Sequence, residues 1–565
     1  MQIIDSDVVI IGGGGAGLRA AIAVAETAPD LKVNMISKVY PVRSHTVSAE
    51  GGIAGVVKED DSFESHCFDT IRGSDYLADQ DAVEFFVEDA PKRIYELEEW
   101  GCPWSRFEDG TIAVRAFGGM SVKRTVYAAD KTGFYMLSAL WERSLKYPQI
   151  KNYDEWHVTR LFRVGEKMAG LYAINLKNGE HAVFRAKAFV LSTGGACRIF
   201  SFNTNGNIKT GDGMALAYNI GASLKDMEFV QFHPTGLPHT GILITEGARG
   251  EGGYLLNNKG ERFMKEYLPA KMELGPRDIV SRSIVSEIKA GRAFKGPYGS
   301  YVHLDIRHLG EKKIMERLPL VREVALEFAH IDPVHEPIPV MPVAHYYMGG
   351  VHTDKETATN VSGLYAAGEV ACVTINGSNR LGSNSLAECL VFGNAAGVQA
   401  SRFAQETALQ TVSEAEVRDE ERRITQLYER NGAENLSKVR ESMQRTMHEL
   451  VGIERNEKEL EAALDAILKL QERWKRIGLQ DKSKTFNTEF TSLLELENML
   501  VVSEACVRSA LAREESRGSH TRSDFPARDD KNFLKHLLVE RGADGMILKD
   551  HPVTITKWQP QERKY

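Results

Sequence analysis

The sequence predicts an α/β protein built from several structural units, and three features of its pattern lead to that prediction. A short β-branched run at 7–11 passes through a cluster of glycines into helix-forming sequence at 18–25, and a second strand pattern follows at 32–36. Two later strand patterns, at 188–192 and 363–367, also run directly into glycine. After about Thr411 the sequence becomes charged and takes on a helical period. A length of 565 residues is too long for one compact core, so more than one domain is expected.

The first feature is a β-strand, a tight turn, a helix and a second β-strand, which is the unit that builds a parallel sheet. In open α/β sheets, ligands bind at the carboxyl ends of the strands. The three strand ends that run into glycine are therefore expected to converge on one ligand, although they lie far apart in the chain. This predicts a discontinuous domain, residues 1–225 and 343–410, with an insertion at 226–342.

The charged region predicts a helical domain at 411–520. Its apolar residues recur every three or four positions, with a break near Gly452, and the pattern comprises Leu436, Val439, Met443, Met447, Leu450, Leu460, Leu464 and Ile467. The last region, 521–565, has turn glycines at Gly542 and Gly545 and an alternating stretch, 553–556, that predicts a short strand.

Composition limits the possible functions. Lys and Arg number 70 and Asp and Glu 78, so the formal charge of −8 argues against a nucleic-acid-binding protein. No run of eighteen apolar residues and no basic, apolar leader occurs, so the chain is expected to be soluble and cytoplasmic in itself. The six cysteines are widely spaced and form no C-x-x-C, so neither an iron–sulfur cluster, a metal site nor a disulfide is expected.

The glycine cluster satisfies G-x-G-x-x-G, a fingerprint whose glycines allow a tight turn, a close approach to a pyrophosphate and close packing of helix on strand. Alone, the fingerprint fits a structural glycine turn as well as it fits a dinucleotide site. Its place between a strand and a helix favours a Rossmann-like dinucleotide site at Gly12, Gly14, Gly15 and Gly17. A carboxylate usually follows about twenty residues later to hold a ribose. Here Ser37 and Lys38 stand instead, which argues against NAD. Glu369 could bond the ribose or ribityl chain of a flavin, or be an acid at a helix N-terminus.

Eight further motifs together carry a resemblance. They are RSHTVSAEGG at 43–52, QFHPTG at 231–236, TEGARGEGG at 245–253, GPRD at 275–278, HYYMGG at 345–350, NRLGSNSL at 379–386, EESRGSH at 514–520 and RDD at 528–530. Over essentially the whole chain they resemble the flavoprotein subunits of the fumarate reductases and succinate dehydrogenases. The resemblance implies an FAD-binding domain with an inserted α+β capping domain.

It also implies how the cofactor is held. The histidine that matches His45 bonds covalently to the 8α carbon of FAD, whereas an ordinary loop histidine would only form hydrogen bonds. The other FAD contacts implied by the matching are Ser37, Lys38, Ser44, Thr46, Gly51, Gly52, Asp212, Glu369, Ser385 and Leu386.

For the reaction, the resemblance implies that His233, Thr245, His345 and Arg380 hold the substrate carboxylates and that Phe117 packs beside them. Succinate and fumarate are dianions, which can be buried only against cations or several donors. Arg277 matches the residue that donates a proton to fumarate, and Glu246 and Arg249 match the residues that return a proton to it. The alternatives are a structural ion-pair network for these three residues and a surface ion pair for Arg380.

Electrons must be exchanged with a partner, because no cluster is expected in this chain. The resemblance implies an iron–sulfur subunit, then a membrane anchor that handles quinone, and hence a peripheral position on the cytoplasmic face of the inner or plasma membrane. The charged helical region and the stretch 517–530 are candidate docking segments.

The direction of the reaction is left open, because the same residues would catalyse succinate oxidation and fumarate reduction. Glu50, the segment 273–278 and the segment 532–536 favour a fumarate reductase. The nearest alternative is an L-aspartate oxidase, which lacks the flavin-linking histidine. A non-catalytic or RNA-modifying flavin protein is a second alternative, but it has no use for Arg277 and Arg380.

Overall fold

The computed structural model describes residues 2–564, and a parallel five-stranded sheet lies at its centre. The order of its strands is Leu364–Ala366, Ala188–Leu191, Val8–Ile11, Val33–Ser37 and Ile150–Asp154. The first four are buried on both faces, as their apolar patterns predict, whereas the edge strand Ile150–Asp154 is partly exposed. Leu191 pairs with both Ile11 and Ala366. The three strand ends predicted to converge therefore meet at one edge of this sheet.

The helix after the first glycine turn, Gly15–Thr27, packs against the long helix Asn384–Glu406. Two glycines make the close contact possible, because a Cβ on Gly393 or Gly397 would lie 2.6 or 2.3 Å from a carbonyl oxygen of the first helix. The other helices around this sheet are Phe63–Gly73, Gln80–Glu99, Thr132–Ser144 and Asp212–Asn219, with short 3₁₀ turns at Pro41–Arg43, His45–Ser48 and Cys197–Ile199.

Two smaller sheets complete this part of the chain. A four-stranded sheet has the order Gln2–Asp5, His181–Arg185, Lys167–Asn175 and Trp156–Val164, and a three-stranded sheet has the order Ile53–Ala54, Thr125–Val126 and Val114–Arg115. In the three-stranded sheet, Gly51 and Gly52 lie directly before the strand Ile53–Ala54, which packs against the helix Asn384–Glu406.

The segment predicted as an insertion has its own apolar core, formed by side chains between Leu237 and Val340. Its sheet has the order Val230–Gly236, Ile338–Tyr347, Gly299–Asp305 and Tyr254–Leu256, with Phe294–Gly296 paired on Gly299–Asp305. The helices are Glu246–Gly250, Met264–Tyr267, Arg277–Lys289, Glu311–Arg317 and Pro319–Ala329, with 3₁₀ turns at Met272–Leu274 and Arg307–Leu309. A separate core of mixed helices and strands fits the predicted α+β insertion, while the domain limits stay a prediction.

The charged region folds into four helices, Glu414–Glu429, Leu436–Leu450, Glu457–Trp474 and Thr488–Ala512. The apolar period predicted the second and third, and asparagine caps start each of the last three. Asn435, Asn456 and Asn487 accept hydrogen bonds from the backbone N–H groups three residues later. None of the helices described in residues 2–564 is long and apolar enough to span a membrane.

The C-terminal region returns to the body of the molecule. Thr521–Arg522 pairs with Glu454–Arg455, and a hairpin, Lys535–Gly542 and Gly545–Pro552, extends a sheet whose other strands are Leu224–Lys225, Gly350–His352 and Ala371–Cys372. The strand predicted at 553–556 is wrong. The N–H of Thr554 bonds to Asp79 and that of Thr556 to Gln80, so side chains take the donors that a strand partner would need.

Candidate active site

One cavity lies at the carboxyl edge of the main sheet, where the three converging strands end. Of the residues singled out from the sequence, all but two line it. The lining set comprises Gly12, Gly14, Gly15, Ser37, Lys38, Ser44, His45, Thr46, Gly51, Gly52, Phe117, Asp212, His233, Thr245, Glu246, Arg277, His345, Glu369, Arg380, Ser385 and Leu386. Gly17 and Arg249 lie behind this wall, and each contacts a residue of it.

The glycine turn is as tight as its fingerprint predicts. Gly12 has a φ of 109°, and a Cβ on Gly17 would lie 1.9 Å from the Gly12 carbonyl oxygen, so no other residue fits at either position. The helix that follows begins at Gly15, with Gly14 as its N-cap, and its N-terminus lies at the cavity wall. The N–H of Gly15 donates to Thr46 Oγ1 at 3.1 Å.

Two buried hydroxyl groups on the cavity wall, Ser44 Oγ and Thr193 Oγ1, have no hydrogen-bond partner in the protein. Buried polar groups are nearly always paired, so these two are expected to bond a bound molecule. With the N-terminus of the helix Gly15–Thr27 they form a donor set that suits the phosphates and sugars of a dinucleotide.

Two lysine–carboxylate pairs stand at this part of the cavity. Lys38 donates to Thr210, Asp212 and Glu495, at 3.2, 2.7 and 2.8 Å. Lys209 pairs with Glu369. Lys38, Asp212 and Glu369 thus line the cavity as predicted, but each is also ion-paired. Glu495 comes from the helix Thr488–Ala512, so the helical domain helps to hold the cofactor wall.

His45 begins a 3₁₀ turn and lines the cavity beside Gly51. Its Nδ1 accepts a hydrogen bond of 3.4 Å from the N–H of Gly206. Burial, aided by the positive charge of Lys209, lowers the pKa of His45 to about 3. The imidazole is therefore neutral near pH 7.

Arg277 stands at the start of a helix and donates from Nε to Glu246 Oε2 at 2.7 Å and from Nη1 to Gln231 Oε1 at 3.0 Å. Glu246 lies 3.7 Å from Arg249 Nη2. Burial opposes ionisation of Glu246, but Arg277 and Arg249 outweigh it, so the pKa of this carboxyl lies below its usual value. Burial lowers the pKa of Arg249. The three form a buried chain of charges that reaches the cavity at Arg277.

Two histidines face each other across the site, with ring centroids 5.0 Å apart. Burial, with the charges of Arg277 and Arg380, holds the pKa of both His233 and His345 well below the ordinary value. His233 Nδ1 accepts from the N–H of Thr235, so the neutral ring carries its proton on Nε2 and can donate from there. Thr245 Oγ1 accepts from the N–H of Gly247, which leaves its own hydrogen free to donate.

His345 reaches the site through an irregularity in the sheet. Gln231 pairs with Tyr346, but the next residue, Phe232, pairs with Ala344, so His345 is the extra residue of a β-bulge. Bulges re-aim side chains next to active sites. The sequence motif placed His345 in the site but gave no sign of this bulge.

Phe117 and Arg380 complete the wall. A Cβ on Gly51 or Gly382 would lie 3.0 or 2.7 Å from the Phe117 ring, so glycines let the ring approach. Arg380 is 3% exposed and its Nε has no partner in the protein. The alternative of a surface ion pair for Arg380 is wrong.

Two residues of the site were missed. Gln231 bonds Arg277 through Oε1 and the carbonyl of Arg380 through Nε2. Because it stands two residues before His233 on a strand, it shares a face with it, and that spacing could have identified it. Lys209 had no such signal.

The docking role considered for 517–530 is wrong at Arg517 and Arg522, which are 1% exposed and held in internal ion pairs.

The comparisons with known proteins agree along the whole chain. Residues 7–386 match the FAD binding domain family, and residues 440–565 match the fumarate reductase flavoprotein C-terminal family. The chain is 54% identical to a fumarate reductase flavoprotein subunit of Mycobacterium tuberculosis over 99% of each chain, and 43% identical to a succinate dehydrogenase flavoprotein subunit of Coxiella burnetii over 96% of this chain and 95% of that one.

A solved structure of the quinol fumarate reductase of Escherichia coli superposes with a TM-score of 0.97 at 48% identity, covering 100% of this chain and 99% of that chain. These matches favour the succinate and fumarate branch over the L-aspartate oxidase alternative. The chain belongs to the family of fumarate reductase and succinate dehydrogenase flavoprotein subunits, which are FAD-dependent oxidoreductases.

Proposed function

We propose that this chain interconverts fumarate and succinate as the catalytic subunit of a quinone-linked complex, with FAD attached at His45. The observation that carries the proposal is one wall of one cavity, where two neutral histidines and two buried arginines stand beside the predicted cofactor site. FAD, when bound, supplies the hydride exchange with the substrate.

The substrate is a dianion, and the wall offers donors for both carboxylates. His233 can donate from Nε2, Thr245 from its hydroxyl and Arg380 from its unpartnered Nε. His345 lies on the neighbouring, paired strand, and its Nδ1 is hydrogen-bonded to the Thr204 hydroxyl at 2.8 Å. Phe117 adds an apolar surface for the carbon chain and excludes water. Such a set favours a short dicarboxylate over a monocarboxylate.

Arg277 is proposed as the proton donor to fumarate. An arginine holds its proton firmly, so it can act only on a strongly basic carbon and must be reprotonated at once. Its Nε is bonded to ionised Glu246, and Glu246 leads on to Arg249, whose pKa is lowered by burial. That chain gives a route by which a proton can return to Arg277 after donation, which a purely structural network would not need.

The covalent link is proposed at Nε2 of His45. Because Nδ1 accepts from the N–H of Gly206, the neutral ring carries its proton on Nε2, which would bond to the flavin with loss of that proton. After denaturation and gel electrophoresis, the wild-type band should keep flavin fluorescence, whereas H45S should lose it. H239S, which changes a histidine outside the cavity, is the matched control and should keep it. Release of all flavin from the wild-type chain would exclude a covalent bond.

The direction proposed is fumarate reduction. Glu50 and the two segments named above support this direction. So do the identities of this chain to the relatives compared, which are 47–54% for fumarate reductase subunits and 41–43% for succinate dehydrogenase subunits. Burial, with Asp130 nearby, raises the pKa of Glu50 well above its ordinary value, which favours the neutral form of the carboxyl near the predicted flavin site. Turnover measured in both directions with matched quinones tests the proposed direction. Turnover with L-aspartate above that with succinate would overturn the proposed reaction itself.

The electrons are proposed to pass through an iron–sulfur subunit to a membrane anchor and quinone, which would place the chain at the cytoplasmic face of the inner or plasma membrane. Among residues 2–564 no three His, Cys, Asp or Glu side chains are grouped to hold a metal ion. Purification from native membranes should bring down an iron-containing subunit with this chain. Recovery of an active chain that transfers electrons to quinone alone would contradict the proposal.

A further inference from the structure

A buried carboxyl group lies directly behind the substrate wall and has no part in the chemistry described above. Glu388, on the helix Asn384–Glu406, is 2% exposed and does not line the cavity. Its Oε2 accepts from the Tyr346 hydroxyl at 2.6 Å and from Asn376 Nδ2 at 3.0 Å. Two donors on one oxygen fix the position of this carboxyl group, and the carboxyl group in turn fixes the tyrosine.

Tyr346 carries this constraint to the cavity. Its ring lies under Arg380, whose guanidinium carbon is 4.3 Å from the ring centroid. Arg380 also donates from Nη1 to Ser385 at 3.1 Å. Within residues 2–564 no carboxylate forms a salt bridge with Arg380, so the ring and the serine hydroxyl are what orient its side chain, and Nε is left open.

The charges agree with this arrangement. Burial lowers the pKa of Arg380 to about 10, and the nearby charge of Arg277 adds to that, whereas Tyr346, Glu369 and Glu388 oppose it. Burial also raises the pKa of Glu388 to about 7, against the hydrogen bonds from Tyr346 and Asn376. In its ionised form, Glu388 puts a negative charge behind the ring, which helps the buried guanidinium group to stay charged where no carboxylate touches it.

We propose that Glu388 is a positioning residue for substrate binding, which anchors the Tyr346 hydroxyl and thereby holds the ring that orients the Arg380 guanidinium group towards a substrate carboxylate. The inference rests on the proposed function, since it assigns Arg380 to the substrate. It adds two residues, neither of which touches the reacting atoms, to the set that determines affinity for a dicarboxylate.

The first experiment removes only the anchored hydroxyl. Y346F should raise the dissociation constant for malonate, an unreactive dicarboxylate, and the KM for fumarate about tenfold, because a hydrogen bond to a carboxylate is lost behind Arg380. The kcat should change by less than about threefold, since no group that touches the reacting carbons is altered. A merely structural role would lower the amount of folded protein without this split between KM and kcat.

The matched control is the same change one residue along the strand. Tyr347 is also buried, and its hydroxyl donates to the Met227 carbonyl at 2.7 Å, away from Arg380. Y347F removes a buried hydrogen bond of the same kind, and malonate affinity should stay within about twofold of wild type. Equal losses of affinity in Y346F and Y347F would overturn the proposal.

The second experiment tests whether Glu388 acts through Tyr346. E388Q keeps an acceptor and removes the charge, so it should weaken malonate binding by about threefold to tenfold. In the Y346F background the same change should have little further effect, because the link is already broken. Additive effects would show that Glu388 does not act through the tyrosine. If wild-type holoenzyme binds no dicarboxylate at all, the proposed function fails first, whereas unaltered binding in Y346F defeats this inference alone.

Discussion

Two buried clusters in this molecule contain the same ingredients and use them differently. The site cluster comprises Arg249, Arg277 and Arg380 with Glu246. The junction cluster comprises Arg513 and Arg517 with Glu228, Glu515 and Asp530, where the C-terminal region meets the rest of the chain. All the arginines and glutamates of both clusters are less than one tenth exposed.

In the junction cluster every guanidinium nitrogen has a partner. Arg513 donates to Glu228, Glu515 and the carbonyls of Phe533 and Lys535, and Arg517 donates to both oxygens of Glu515, to Asp530 and to the carbonyl of Asp75. Charges paired and bonded in this way can stay buried. This cluster leaves neither arginine free to bind a ligand.

In the site cluster the pairing is incomplete. The Nε of Arg380 and the Nε and Nη2 of Arg249 are buried without a hydrogen bond, and one carboxylate, Glu246, serves both Arg249 and Arg277. Excess buried positive charge destabilises a protein unless an anion arrives. Arg380, whose unpartnered Nε belongs to a residue of the cavity wall, can bind a ligand, whereas the fully paired arginines of the junction cannot.

The largest effect is expected at Arg277. R277Q should reduce fumarate turnover by at least about 10³-fold, because the proposed proton donor is lost, while FAD stays bound. The midpoint of thermal unfolding should move by no more than a few degrees, since repulsion from the neighbouring arginines is relieved. Steady-state kinetics and scanning calorimetry measure the two quantities. Substantial remaining turnover would exclude Arg277 as the obligatory donor and remove the contrast between the clusters.

The opposite pattern is expected at Glu515. E515Q should lower the free energy of unfolding by about 3–5 kcal/mol, because the buried Arg513 and Arg517 lose the charge between them. The folded fraction should keep its kcat, since the cavity is untouched. E414Q, which breaks an exposed pair with Arg418, is the control and should change stability by less than about 0.5 kcal/mol. Similar effects of the two substitutions would show that the junction charges do not stabilise the fold.

A smaller, pH-dependent effect is expected at His536, beside the junction. Burial opposes its charge, but Asp226 and Asp79, at 2.7 and 3.3 Å, outweigh that and raise its pKa to about 8. Because the folded pKa exceeds the unfolded value of about 6.5, the stabilisation is complete below pH 6.5 and is lost as the pH rises through 8. Denaturant unfolding of wild type and H536Q should show the advantage of wild type shrinking by about 2 kcal/mol between pH 6 and pH 9. A constant difference would mean that the histidine is not charged in the folded chain.

Local pattern was enough for much of the fold. The run 7–11, the glycine turn and the helix period at Leu436–Leu450 each depend on neighbours in the chain, and the structure confirms them. The error at 553–556 arose because alternation also suits an extended segment whose N–H groups bond to side chains. Asp79 and Gln80, which supply those bonds, lie more than 470 residues away, beyond any local signal.

The resemblance carried by the motifs likewise implied one site for His233, His345, Arg277 and Arg380, and these four residues line one cavity. The sequence by itself determined the parallel sheet, the dinucleotide turn and the chemical types gathered at its edge. Only the tertiary structure decided which charges are paired, how the bulge at His345 turns its ring, and that Glu388 stands behind Arg380. Pairing depends on contacts between distant segments, and because both clusters are buried, it is pairing and access to the cavity that separate charge that stabilises the fold from charge that can bind a ligand.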